Sequence, residues 1–108
     1  MIIINLIQNA IKAMPSGGEL NIELKKRKNT ITISFTDTGC GISSKDIQRI
    51  FEPFYSTQQG LGAAGTGLGL PIVKSIVEKF SGHISVKSQL QKGTCFTLKF
   101  EQMDKKTN

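Results

Sequence analysis

Apolar residues recur along the chain at two different periods, and the change from one to the other marks out the elements. Ile3, Ile7, Ala10, Ile11 and Met14 fall at helical spacing and predict an amphipathic helix with these side chains on its apolar face. Pro15-Ser16-Gly17-Gly18 ends that helix and turns the chain. Leu20, Ile22 and Leu24 then alternate with polar residues, and so do Ile31, Ile33 and Phe35 after a basic turn to Asn29, which predicts a β-hairpin. Ser43-Ser44-Lys45-Asp46 offers a helix N-cap with an acid in the first turn, opening a short helix through Phe51 that Pro53 ends. Leu70, Ile72, Val73, Ile76, Val77 and Phe80 predict a second amphipathic helix, with Pro71 in its first turn and Gly82 just past its end. Ile84 and Val86, then Phe96, Leu98 and Phe100, alternate on strands either side of a turn at Gln91 to Gly93. From Ser56 to Gly67 there are few bulky apolar side chains, so a mobile loop is expected there. The order predicts an α+β fold: a two-layer sandwich with helices on one face of a mixed, mostly antiparallel sheet.

Composition narrows the class. A chain of 108 residues suits one domain; it is expected to span residues 1–102, with a disordered tail over 103–108. The hydrophobic fraction of 38% and charged fraction of 20% fit a globular chain and exclude a disordered one. The longest apolar run, Met1 to Ile4, is far short of the roughly 20 residues of a membrane-spanning helix, and no signal-peptide pattern is present. The net charge of +6 suits nucleic acid, an anionic membrane or a polyphosphate ligand. Much of it sits in Lys25-Lys26-Arg27-Lys28 and at Lys105 and Lys106, with no aromatic side chains interleaved for stacking; a solvated surface is expected, not a nucleic-acid contact. Cys40 and Cys95 lack metal-ligand spacing and read as free thiols in a reducing cytosol. His83 is expected to be structural or on the surface.

Three stretches carry candidate chemistry. Asn5, Asn9 and Lys12 lie four and three apart, on one stripe of the first helix. Carboxamide oxygens suit Mg²⁺ and an ammonium suits phosphate, although an ordinary polar face has the same pattern. Asp37-Thr38-Gly39-Cys40-Gly41-Ile42 places a carboxylate at a strand end before a glycine-containing loop. The carboxylate can accept from an exocyclic amine, the glycines let backbone approach a flat ring, and Ile42 can press on one ring face. Taken alone, that stretch also fits a plain turn. Gly65-Thr66-Gly67-Leu68-Gly69-Leu70 puts backbone N–H groups at a helix N-terminus, a ready anion site. No strand precedes it as a Rossmann loop requires, and no Gly-Lys-Ser/Thr follows as in a Walker A loop.

In order, NLIQNAIK, DTGCGI, FEPFYST, GTGLGL and GTCFTLKF resemble the N, G1, F and G2 boxes and the closing strand of the sensor histidine kinase ATP-binding domain, a Bergerat-fold relative of the DNA gyrase, chaperone and mismatch-repair ATPases. The resemblance covers residues 2–100. It implies a catalytic module that binds ATP and Mg²⁺ and donates the γ-phosphoryl group to a histidine on a separate dimerisation domain, serving a response regulator through it. Asn9 matches the Mg²⁺ ligand, Asn5 a helper one turn back, and Lys12 a phosphate contact. Asp37 matches the reader of the adenine amino group, with Gly39, Gly41 and Ile42 shaping its pocket. Phe51 and Phe54 match the aromatic pair beside the ATP lid, and Thr66, Gly67, Leu68 and Gly69 the loop that holds the phosphates. Gly93, Thr94 and Phe96 match the turn and strand beneath adenine.

The ATPase relatives carry a glutamate where this chain has Asn5, which is no general base near neutral pH, so ATP should be held and not efficiently hydrolysed. The resemblance also implies a strand and a further helical turn ahead of Met1, so N-terminal truncation is expected. Gln58 and Gln59 stand where many relatives have a basic residue, and no acceptor-histidine helix is present. A cytoplasmic location follows, with any membrane anchor elsewhere in the parent kinase. The competing readings are a stand-alone regulator resembling the anti-sigma serine kinases, and a degenerate domain that binds partners and no nucleotide.

Overall fold

The computed structural model describes residues 2–53, 55 and 69–101. Its elements are α1 (Ile2–Ala13), β1 (Leu20–Arg27), β2 (Thr30–Asp37), α2 (Ser44–Ile47), α3 (Gly69–Lys79), β3 (Gly82–Gln89) and β4 (Gly93–Glu101). The stretch from Ser56 to Gly67 and the tail from 103 onward lie outside the described residues.

Two hairpins supply the sheet. β1 pairs with β2 and β3 with β4, and β2 joins β4, giving the order β1-β2-β4-β3 with every pairing antiparallel. Alternation sorts the faces: Ile33, Phe35 and Asp37 share one with Leu98, Phe96 and Thr94, their direct partners. Phe35, Phe96 and Leu98 meet Leu6 of α1 and Val73 and Val77 of α3 in the core. The opposite face carries Thr32, Ser34, Thr36, Thr97, Lys99, His83, Ser85 and Lys87, which can stay in water, so among the described residues helices cover one side of the sheet. This is the expected two-layer α+β sandwich.

Four local expectations need correction. The buried stripe of α1 is Leu6, Ala10 and Ala13, whereas Ile3 and Ile11 are 52% and 60% exposed. Consecutive isoleucines at 2, 3 and 4 make two helical phases look equally apolar, and the one that packs lies about a quarter turn from the one expected. The short helix after Ser43 stops at Ile47; successive i to i+3 bonds from Arg49 N–H to Asp46 O and Glu52 N–H to Arg49 O then tighten the chain, and Ile50 enters the core. Phe80, expected on the apolar face of α3, lies past the helix end and is 67% exposed. The residue that leaves α3 in the left-handed region is Ser81 (φ 62°) and not Gly82. Gly82 already belongs to β3, where a Cβ would lie 2.6 Å from the Phe100 ring.

Candidate functional site

Asp37 ends β2 in the middle of the sheet, opposite Thr94 of β4. Only 6% of it is exposed. Its Oδ1 accepts the Gly39 N–H at 2.8 Å and the Thr94 N–H at 3.2 Å. Burial pushes its carboxyl above the usual carboxylate value, and these two N–H bonds pull it part of the way back. Both bonds fall on one oxygen, which leaves Oδ2 for a donor from a ligand.

The loop after Asp37 is clamped on two sides. On one side Cys40 N–H donates to Ala13 O at 3.0 Å, and a Cβ on Gly39 would lie 2.5 Å from that same carbonyl. On the other, Gln91 N–H donates to Cys40 O at 2.8 Å, and a Cβ on Gly41 would lie 2.2 Å from Gln89 O. Gly41 also has φ +78°, a conformation that favours glycine. The glycines expected to admit a flat ring therefore first let the loop lie against the last turn of α1 and the β3–β4 turn. Ile42 is buried in the core beyond them.

Along α1, Asn5, Asn9 and Lys12 are half-buried on the flank beside the packed stripe. Asn5 Nδ2 is buried with no hydrogen-bond partner among the described residues. Its Oδ1 lies 3.4 Å from where a Cβ on Gly69 would sit, so Asn5 faces the first residue of α3. α1 thus runs from the start of α3, beside Asn5, to the Asp37 loop at Ala13, about 12 Å along its axis. Of the remaining expected residues, Thr94 is buried, Phe51 packs half-buried against the core, and Phe54, Thr66, Gly67 and Leu68 lie outside the described residues.

Two further groups, one at the site and one on α2, were not found from sequence. Ser88 accepts the Ile42 N–H at 2.7 Å, donates to Gly93 O at 2.9 Å and lies 2.7 Å from Thr94 Oγ1. A serine near a strand end carries no signal of that role; only the register opposite Thr94 reveals it. Tyr55 donates its hydroxyl to Asp46, whose Oδ2 also accepts from the N-cap Ser43 at 3.1 Å, and Arg49 lies 4.4 Å over the Tyr55 ring. That bond to Asp46 keeps the Tyr55 phenol protonated to higher pH than usual. It fastens Tyr55 to α2.

A family profile described as histidine kinase-, DNA gyrase B-, and HSP90-like ATPase matches residues 1–104. Sporulation kinase B of Bacillus subtilis is 44% identical over 98 residues, covering 90% of this chain and 22% of the relative. The sensor histidine kinase ZraS of Escherichia coli is 40% identical over 97 residues, covering 90% and 20%. The chain therefore spans about a fifth of the length of these relatives. The solved mycobacterial sensor histidine kinase MprB superposes with a TM-score of 0.83 at 28% identity, covering 93% of this chain and 69% of that one. The nucleotide-free catalytic domain of histidine kinase ThkA gives 0.79 at 29% identity, covering 95% and 66%.

Proposed function

This chain belongs to the histidine kinase-, DNA gyrase B- and HSP90-like ATPase family, and we propose that it is the ATP-binding catalytic module of a two-component sensor kinase, donating phosphoryl groups to a histidine on another domain. The observation that carries the reading is Asp37: a carboxylate buried at the end of a central strand, held by two N–H groups on one oxygen. A buried charge without a further partner is costly, so its retention suits a ligand that donates to Oδ2. The exocyclic amine of adenine is such a donor.

The nucleotide lies along α1. Its base meets Asp37, Gly39, Gly41, Ile42 and Thr94, and its phosphates lie toward Lys12, Asn9, Asn5 and Gly69. An extended nucleoside triphosphate suits a site about 12 Å long. The residues fit a bound Mg²⁺: Asn5 and Asn9 lie half-buried along α1, and a carboxamide oxygen is a hard, neutral ligand of the kind that Mg²⁺ takes alongside water and phosphate oxygens. Asn9 would hold it, and Mg²⁺ when bound would neutralise phosphate charge. The Asn5 Nδ2, buried without a partner among the described residues, supports a role for this side chain in orienting water or phosphate at that end. An amide cannot remove a proton from water near neutral pH, so the phosphoryl group is kept for a protein acceptor. That acceptor histidine, the response regulator beyond it and a cytoplasmic setting belong to the same proposal; among the described residues no helix is long and apolar enough to cross a membrane.

Calorimetric titration with ADP, with and without Mg²⁺, tests the reading. Saturable binding that Mg²⁺ tightens is expected, and no heat under either condition would dispose of it.

A further inference from the structure

The Ser88 hydroxyl belongs to none of the motifs that describe the base site, yet it joins both halves of it. A hydroxyl has one proton and two lone pairs. Here the proton goes to Gly93 O, one lone pair takes the Ile42 N–H, and the other faces Thr94 Oγ1 at 2.7 Å. Every hydrogen-bonding capacity of Ser88 is therefore committed. Ile42 ends the loop that follows Asp37, and Thr94 supplies one of the N–H groups that hold the Asp37 carboxylate.

We propose that Ser88 is a positioning residue for base recognition, tying the Ile42 end of the loop to Thr94 so that both stay fixed around Asp37. The inference rests on the nucleotide reading above. Ser88 stands outside the hydrophobic core, and the same loop is also fastened by the Gln91 to Cys40 bond at 2.8 Å and by the close seat of Gly41 on Gln89. Losing the hydroxyl therefore shifts the site without opening the fold. The bond between a base amino group and Asp37 is directional and suffers from such a shift. A purine with a carbonyl in place of that amine never makes the bond and feels only the shift in the ring contacts that both bases share.

Calorimetry with ADP and with inosine diphosphate separates these cases. Ser88→Ala should weaken ADP about tenfold, the loss expected for a displaced charge-assisted bond. Inosine diphosphate should lose clearly less, so the ratio of the two affinities narrows, and Ser88→Thr should restore it. Thr94→Val cuts the same tie from its other end while keeping the Thr94 N–H, so it should narrow the ratio too and serves if Ser88→Ala does not fold. An unchanged ratio in either folded variant, whatever its melting temperature, overturns the role of Ser88. A parent chain that binds ADP no more tightly than inosine diphosphate points instead to failure of the adenine reading itself.

Discussion

Asp37 carries opposing demands in one side chain. Burial disfavours its charge, while two N–H groups and, in the proposed complex, an adenine amine favour it. Asp37→Asn keeps an oxygen for Gly39 and Thr94 but loses the charge-assisted bond to the base, a loss of about 1.5–3 kcal/mol. ADP affinity should fall about tenfold to a hundredfold, and equal calorimetric affinities in parent and variant would remove Asp37 from the base site. The same residue sets a pH dependence. Its folded-state pKa lies above the ordinary value of 3.8, so between those two values the folded chain keeps a proton that the unfolded chain has released. The parent should lose stability as pH rises through that window and stay at the lower level above it. Asp37→Asn should lack this decline in urea titrations run across the acid range; an identical profile would show that burial of Asp37 does not govern it. Asp37 stood out in the sequence through the order of the motifs around it, since its own stretch taken alone also fits a plain turn. Ser88 did not, because its importance lies in a cross-strand register that no local pattern encodes.

At the scale of elements, glycine position separates two kinds of constraint. Gly17 has φ +96° with open space around it, so alanine there meets only backbone strain, on the order of 1 kcal/mol. Gly41 combines φ +78° with backbone 2.2 Å from its missing Cβ, and the obstructing Gln89 carbonyl is itself part of the β3–β4 turn. Gly41→Ala should therefore cost clearly more, about 3 kcal/mol or above, and should weaken ADP as the loop lifts. Gly17→Ala should leave ADP binding at the parent value. Thermal melts and titrations of the pair decide it, and equal destabilisation would mean that the loop yields freely at Gly41. The strands were readable because alternation has one phase on each face, as in Ile31, Ile33 and Phe35. The phase of α1 was not, because its surplus isoleucines hide which stripe packs until the sheet and α3 are in place. The end of α3 was misjudged for a related reason: Gly82 is required by the Phe100 ring and not by the helix terminus.

For the whole molecule, the two-layer design decides what the chain can do alone. Asp37 and Thr94 face the helices, whereas His83, paired with Lys99, lies exposed on the opposite face of the sheet. The sheet thus stands between the proposed nucleotide and the single histidine of the chain. A phosphoryl group transferred from that site needs an acceptor brought to the helix side, which His83 cannot reach within one folded molecule. In the proposed site Asn5 adds a second restriction, since it offers no base to activate water in place of an acceptor histidine. The isolated chain should therefore bind Mg²⁺-ATP yet acquire no acid-labile label from γ-labelled ATP, and it should release phosphate scarcely above the uncatalysed background. His83→Ala should be indistinguishable from the parent in both assays. Label on the parent that disappears in His83→Ala, and that grows with the square of protein concentration, would mean that one copy presents its outer sheet face to the nucleotide of another. Label that persists in the variant, or rapid phosphate release by the parent, would break the link drawn here between the carboxamide at position 5 and retention of the phosphoryl group.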